Sequence, residues 1–465
     1  MNYQVSQHID NNKVFIVQRS EIEGRLDPKM ALYNRKVQNS LYPKVKLKDV
    51  LVCKPQYGAS EPGVPRSSIK EPRYIRITDI DENGLISHDE LGATAKIIEN
   101  KYILCENDIL IARSGATVGK AYIHKPALYD CFFAGYLIRF IINTDKALPE
   151  YIFTYTQLNA YKEWVNAIQR PSAQPNINSE EYQSLEIPLP NIERQQVIVD
   201  VIKSAYLQKK QKESEAKQLL DNVDAYILNE LGITLPEIKT DLKNRIFKVN
   251  RSELEERLDP TVYKDGIKLI SNNYDNVKLS SVAYVNPTGT FKGKDIETPI
   301  SFIPMESIDE VYSEVSKLED TTIENASGFT KFKEGDLLWA KITPCMQNGK
   351  SAIAKNLTNG LGCGSTEFFV MRNKDERLAI EYLHVILHMK CVRETAMLYF
   401  GGSAGQQRVS SAFLENFNLP LPPKDKQIEI ANHVYTIRQK AKALQEEGKV
   451  LLEEAKRKVE SMIIG

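Results

Sequence analysis

RSEIEGRLDP at residues 19–28 returns as RSELEERLDP at residues 251–260. Eight of the ten positions are identical, Ile22/Leu254 is conservative, and only Gly24/Glu256 changes character. The offset is 251 − 19 = 232. A single match is compatible with a small local duplication, so further matches decide the question. LEIPLP (185–190) matches FNLPLP (417–422), and ERQQVI (193–198) matches DKQIEI (425–430); both pair Pro188 with Pro420 and Gln195 with Gln427 at the same offset of 232. Between these lies a looser match, ENDILIARSGATVGK (106–120) with EGDLLWAKITPCMQNGK (334–350). Its offset is 228 at Asp108/Asp336 and 230 at Gly119/Gly349, so a few residues have been gained or lost inside the unit. The period is far longer than a solenoid repeat. Two copies of a domain-sized unit are present, with matched ends and divergent interiors, which suggests one scaffold carrying two different binding surfaces.

Within the first copy YIRITDID (74–81), NDILIARSG (107–115) and FFAGYLIRFII (132–142) read as strands, apolar runs closed by Asp, Asn or Gly. Their counterparts are PISFIPMESI (299–308), GDLLWAKI (335–342) and STEFFVMR (365–372). Helical stretches follow at 149–168 and 377–397. Each copy then ends differently. From Ile192 to Leu231 there is no proline, and in the second copy Ile430, Val434, Ile437, Ala441, Leu444, Leu451, Ala455 and Met462 step mostly by three and four. Prolines precede both helices, where proline is tolerated, and Gly232 with Pro236 ends the first. Each helix would be about 40 residues, or roughly 60 Å. So narrow an apolar stripe needs a partner. Antiparallel pairing of the two helices, holding the two globular domains apart, is the economical solution; two independent surface helices are the alternative.

Composition excludes several classes. The formal net charge is zero, which argues against coating nucleic acid by overall charge but permits a basic face balanced elsewhere. No apolar run approaches a bilayer span, and the first residues do not read as a signal peptide. Cys53, Cys105, Cys131, Cys345, Cys363 and Cys391 are scattered without CxxC spacing, as expected of reduced thiols in the cytoplasm, and a zinc site is not expected. Catalytic motifs are missing. Asn286-Pro287-Thr288-Gly289 lacks the second proline and the aromatic residue of an adenine methyltransferase loop. GATVGK (115–120) has the wrong spacing for a phosphate loop. Asp108 with Arg113, and Asp336 with Lys341, are not followed by the acid and lysine a nuclease would need. No catalytic residue, metal or cofactor is expected.

The paired PLP-x-x-x-x-Q segments with their long helices, and the DILIARSGATVGK hairpin at Asp108–Lys120, resemble the specificity subunit of Type I restriction-modification systems. The resemblance covers nearly the whole chain. The second hairpin departs from it: Lys341 replaces Arg113, and Thr343–Asn348 replaces the shorter Gly115–Val118 turn. SAQPNIN (172–178) and SAGQQRVS (403–410) also look family-like. The resemblance implies an α+β chain of two mixed α/β target-recognition domains, each closed by a long helix. The expected divisions are 1–188 and 236–420 for the recognition domains, and 189–235 and 421–465 for the helical spacers. It implies a non-catalytic subunit that reads a split double-stranded DNA site, one half per domain. The expected partners are two methyltransferase subunits and two restriction/translocase subunits, with no membrane.

Residue chemistry nominates the contacts. Arg66, Lys70, Arg73 and Arg76 form a basic run with Tyr74, suited to phosphates. Gln174, Asn176, Asn178, Gln406, Gln407 and Arg408 offer the groups that match base edges. Arg113, Ser114 and Lys120, with Lys341, Gln347, Asn348 and Lys350, complete the candidates on the hairpins. A solvated basic surface, turn-forming Asn and Gln and structural closure of the hairpin are the competing roles. Two other functions stay open: an adaptor joining two protein-binding domains, and an enzyme of unrecognised type.

Overall fold

Strand Ile109–Ala112 shows how a unit is layered. Successive side chains leave a strand on opposite faces. Ile109 and Ile111 enter one core with Tyr151, Trp164, Ile198 and Val459, whereas Leu110 and Ala112 enter another with Ile75 and Phe133. The sheet therefore lies between helices on one side and a second sheet on the other. A strand buried on both faces is apolar throughout, which is why ILIA shows no alternation. In the second copy Leu337 and Trp339 face the helices while Leu338 faces the second sheet.

The computed structural model describes residues 29–31, 33, 40–87, 91–169, 175–236, 248–249, 251, 259–402 and 406–464. The chain divides into two units, Met1–Gln211 with Glu447–Gly465, and Lys212–Glu446. Both long helices are thus shared out between the units. The repeated RLDP segment lies outside the described residues in the first copy; in the second, Asp259 caps the short helix Pro260–Asp265 by accepting from the Thr261 amide at 3.0 Å.

Each unit holds an antiparallel four-stranded sheet of one order. In the first it runs Gln56–Tyr57, Leu137–Phe140, Ile109–Ala112, Ala121–Ile123; in the second Ala283–Val285, Phe368–Asn373, Leu337–Ala340, Ser351–Ile353. The FFAGYLIRFII run resolves into two strands, Cys131–Phe133 and Leu137–Phe140, in different sheets. The second sheet is built on a parallel pair, Arg73–Ile75 with Cys131–Phe133, and Pro299–Ile303 with Leu361–Gly364. Beyond that pair the copies differ. The first adds the outer strand Gly63–Pro65. The second adds Thr330–Lys333, where the first has only the isolated bridge Ile103–Phe132. Interior divergence in sequence is divergence of this sheet.

The matched ends are a shared clamp. Strand Lys44–Lys46 pairs with Glu186–Pro188, and Asn276–Lys278 with Asn418–Pro420. Gln195, fully buried, accepts from the Leu148 amide and donates to the Pro190 carbonyl, both at 2.8 Å. Gln427 accepts from the Ala379 amide and donates to the Pro422 carbonyl at the same distances. Tyr151 and Tyr382 donate to the carbonyls of Pro188 and Pro420. The helical stretch 149–168 breaks into Pro149–Tyr155 and Asn159–Ile168, and its counterpart into Ile380–His388 and Lys390–Met397.

The first long helix runs Ile192–Asp221 and, after Asn222, continues as Val223–Glu230; the second runs Lys424–Ile463 without a break. Asn191 opens the first by accepting from the Arg194 amide at 3.0 Å. Gly232, at φ 61°, closes it, and a Cβ there would meet Asn273. In the first unit Ile198, Ile202 and Ala205 share a core with Leu452, Val459 and Ile463. In the second, Val223, Ile227 and Leu231 share one with Ile430 and Val434.

Candidate nucleic-acid interface

Each central strand leads into a long turn, residues 113–120 in the first unit and 341–350 in the second. In both units a later loop is zipped onto the start of that turn by backbone bonds. Gly115 N–H donates to the Pro175 carbonyl at 3.1 Å and Ile177 N–H to the Arg113 carbonyl at 2.9 Å. Thr343 N–H donates to the Gln407 carbonyl at 3.0 Å and Val409 N–H to the Lys341 carbonyl at 2.9 Å. The bridge pairs Ser114–Asn176 and Ile342–Arg408 are the same contact in the two copies. The structure therefore gathers Arg113, Ser114, Asn176 and Asn178 at one junction, and Lys341, Gln407 and Arg408 at the other.

The junctions share backbone and differ in side chains. Arg113 lies 5.0 Å from the ring centre of Tyr57, a cation–π contact. Tyr57 is half exposed; its hydroxyl donates to Ser179 Oγ at 3.2 Å and accepts from the Ser179 amide at 3.1 Å. Ser114 is buried. Asn176 is exposed. Asn178 accepts from the amides of Glu180 and Glu181, both at 2.9 Å, so its oxygen caps the helix Ser179–Gln183. In the second unit Lys341 lies 5.5 Å from the Phe369 ring centre. Exposed Arg408 donates through Nε to both Glu367 carboxylate oxygens, at 3.1 and 2.9 Å, and through Nη2 at 2.8 Å. Those bonds hold the Glu367 carboxyl below its ordinary range. Gln406 is exposed beside it.

The remaining candidates sit elsewhere. The 66–76 run belongs to the second sheet and its approach. Arg66 is buried, donating to the carbonyls of Leu91, Ile69 and Glu71. Arg73 is fully buried and donates to the Ser87 carbonyl. Tyr74 is buried, stacks on Phe132 at 4.6 Å and donates to the Ala59 carbonyl at 2.8 Å. These three side chains are taken up by the fold; a basic run in sequence does not reveal which members point inward. Lys70 is exposed. Arg76, also exposed, is forked onto Asp79. Lys120 donates to the Ile80 carbonyl and Lys350 to the Met305 carbonyl at 3.2 Å, so both tie their turn to matching 3-10 segments. Asn348 donates to Glu310 at 3.1 Å, and the Gln347 carbonyl accepts from Arg393. Gln174 lies outside the described residues.

Two acids considered for chemistry have structural roles. Asp108 pairs with Arg139 at 2.5 Å and accepts from the Cys105 amide at 2.6 Å. Asp336 pairs with Arg372 at 2.6 Å and accepts from the Lys333 amide at 2.8 Å. Each ion pair ties the entry to the central strand to the inner strand beside it. Sequence reasoning did not select Arg139, Arg372, Tyr57 or Glu367. A signal existed for the two arginines, which end the matched runs LIR (137–139) and VMR (370–372). None existed for Tyr57 and Glu367, which come to the junctions only through folding. Among the described residues no group of three or more His, Cys, Asp or Glu is placed to hold a metal ion. No described helix is long and apolar enough to cross a membrane.

Comparison with known proteins agrees with this duplicated architecture. The family model described as Type I restriction modification DNA specificity domain matches twice, over residues 70–220 and 271–453. The specificity subunit of the Type I restriction enzyme EcoEI from Escherichia coli is 34% identical over 168 residues, 35% of this chain and 27% of that protein. The EcoAI specificity subunit from Escherichia coli is 34% identical over 183 residues, 38% of this chain and 29% of that protein. The matched stretch thus spans less than a third of either relative. A chain from a solved structure of complex assembly in the type I R-M system is 16% identical, with 90% of this chain and 96% of that one covered at a TM-score of 0.50. That likeness concerns the fold. With the domain model matched once in each copy and over most of the chain, this protein belongs to the Type I restriction modification DNA specificity domain family.

Proposed function

We propose that this chain is the sequence-reading subunit of a Type I restriction-modification complex, that it reads a two-part double-stranded DNA site, and that each unit reads one half. One observation carries the proposal: the loop junction at Arg113–Asn176 is rebuilt at Lys341–Arg408 on the same backbone bonds but with different side chains. A conserved frame with exchanged polar groups is what two different half-sites require, since base edges are told apart by their donors and acceptors. Arg113, Lys341, Asn176, Gln406, Gln407 and Arg408 are the proposed contacts at the junctions, with Lys70 and Arg76 as phosphate contacts.

The proposed division is recognition domains at 1–188 and 236–420 and spacer helices at 189–235 and 421–465. The two spacers form an antiparallel coiled coil. Support comes from contacts inside each unit. Gly448 faces Lys209, while Lys426 bridges Glu230 at 2.6 Å and Tyr226 packs on His433. As numbering rises along one helix it falls along the other. In this reading the subunit supplies no catalysis, and the buried Asp108 and Asp336 serve the sheet by pairing with Arg139 and Arg372. It docks two methyltransferase and two restriction/translocase subunits in the cytoplasm. The test is co-production of the full chain with the methyltransferase subunit of its system, followed by mapping of modified adenines. A two-part motif that is lost when this chain is omitted is expected; a contiguous motif, or modification independent of the chain, refutes the proposal.

A further inference from the structure

Asn176 and Arg408 occupy equivalent places, each bridged to the second residue of its turn. The residues beside them differ too. Arg113 N–H donates to the Tyr136 carbonyl, and Lys341 N–H donates to the Glu367 carbonyl, both at 2.9 Å. Tyr136 and Glu367 are therefore equivalent as well. One junction carries Asn with Tyr, the other Arg with Glu.

The Arg408 guanidinium is held through all three of its nitrogens. Its Nε and one Nη2 hydrogen go to Glu367, and Nη1 donates to the Gln406 carbonyl at 3.1 Å. A guanidinium has five N–H groups. Fixing the Nε–Nη2 edge leaves the Nη1–Nη2 end to donate outward, a fork that matches the two acceptors on the major-groove edge of guanine. An arginine held by a carboxylate is already ordered, so less side-chain freedom is lost when it meets a base. An exposed ion pair contributes little to folding by itself. Asn176 is exposed at the matching place, and its amide offers one donor and one acceptor, the pattern that pairs with adenine.

We propose that Glu367 is a positioning residue that sets Arg408 to read a guanine in one half-site, and that Asn176 reads an adenine at the equivalent place of the other. This rests on the reading of the chain as a DNA-specificity subunit with one half-site per unit.

The test is selection from a randomised duplex library by the full chain co-produced with the methyltransferase subunit of its system, with sequencing of the bound DNA. Wild type should select a two-part motif. R408A should flatten a single guanine in one part, reducing preference there by roughly ten- to a hundredfold. R408K keeps the charge but loses the fork, and should flatten the same position. E367Q should weaken that position alone, and E367D should restore it in part. N176A should flatten a single adenine in the other part. The untouched half-site reports in each variant that the protein is folded. A wild-type two-part motif whose base preferences survive R408A and E367Q overturns this inference and leaves the functional reading standing. A uniform loss of affinity with R408A, rescued by R408K, assigns Arg408 to phosphate and also overturns it. No motif with wild type overturns both.

Discussion

Gln427 makes in the second unit the two buried hydrogen bonds that Gln195 makes in the first. Both side chains staple a helix-entry carbonyl to the start of the preceding helical layer. Replacing either by alanine leaves a buried amide and a buried carbonyl unpaired, at about 1–3 kcal/mol each. Q195A is expected to lower only the unfolding transition of the first unit, and Q427A only that of the second. Denaturant unfolding followed by residue-resolved hydrogen exchange checks this; a shift of neither transition would contradict the staple.

The Asp108–Arg139 and Asp336–Arg372 pairs make a second prediction. D108N strands the buried Arg139 guanidinium, at a cost of about 3–5 kcal/mol, and D336N, which frees the half-buried Arg372, should cost less. Removing both partners, as D108N with R139M, should recover much of the loss. Thermal unfolding of the single and double variants measures it. A double variant no better than the single contradicts the ion-pair role.

His384 is buried, and desolvation first and the charge of Arg438 second push its pKa down to about 3. Lys355 adds to the repulsion, while a hydrogen bond with Ser351 works against it. Above the unfolded value near 6.5 the imidazole is neutral in both states and pH has no effect through it. Between 6.5 and about 3 the unfolded chain binds a proton that the folded one refuses, so stability falls as pH falls, by at most about 1.4 kcal/mol per pH unit. H384Q is expected to flatten the stability profile of the second unit between pH 7 and 5. Urea midpoints at several pH values show it, and a variant profile as steep as wild type refutes it.

Val434 is fully buried against Val223 and Ile227. V434D places a charge in that seam and should destabilise the second unit by more than about 3 kcal/mol. Leu444 is only half-buried, so L444D should cost less. Unchanged thermal stability and complex formation in both variants would contradict the proposed pairing of the helices.

The offsets along the chain were legible because the clamp is built in the same way in both copies. Gln195, Pro188 and their partners at 232 positions on are buried and hydrogen-bonded. The step in offset from 228 at Ala112/Ala340 to 230 at Lys120/Lys350 falls within the turns, where the longer second turn also buries Met346 in the core. The candidate site was less legible. Arg66 and Arg73 read as surface cations, yet the second sheet closes over them. Glu367 reads as an ordinary strand flank until folding sets it against Arg408, 41 residues on. Of the second sheets only single strands were legible, within 74–81 and 299–308; their unlike order was not, because the pairing partners lie far apart in sequence.

The central claim is that each unit reads its own half of the DNA site. Replacing residues 30–185 with the corresponding segment of a relative of different specificity, and mapping modified adenines by sequencing, tests it most directly. The account predicts that one half of the motif changes while the other half and the gap between them stay as they were. A change in both halves, or in neither, would contradict it.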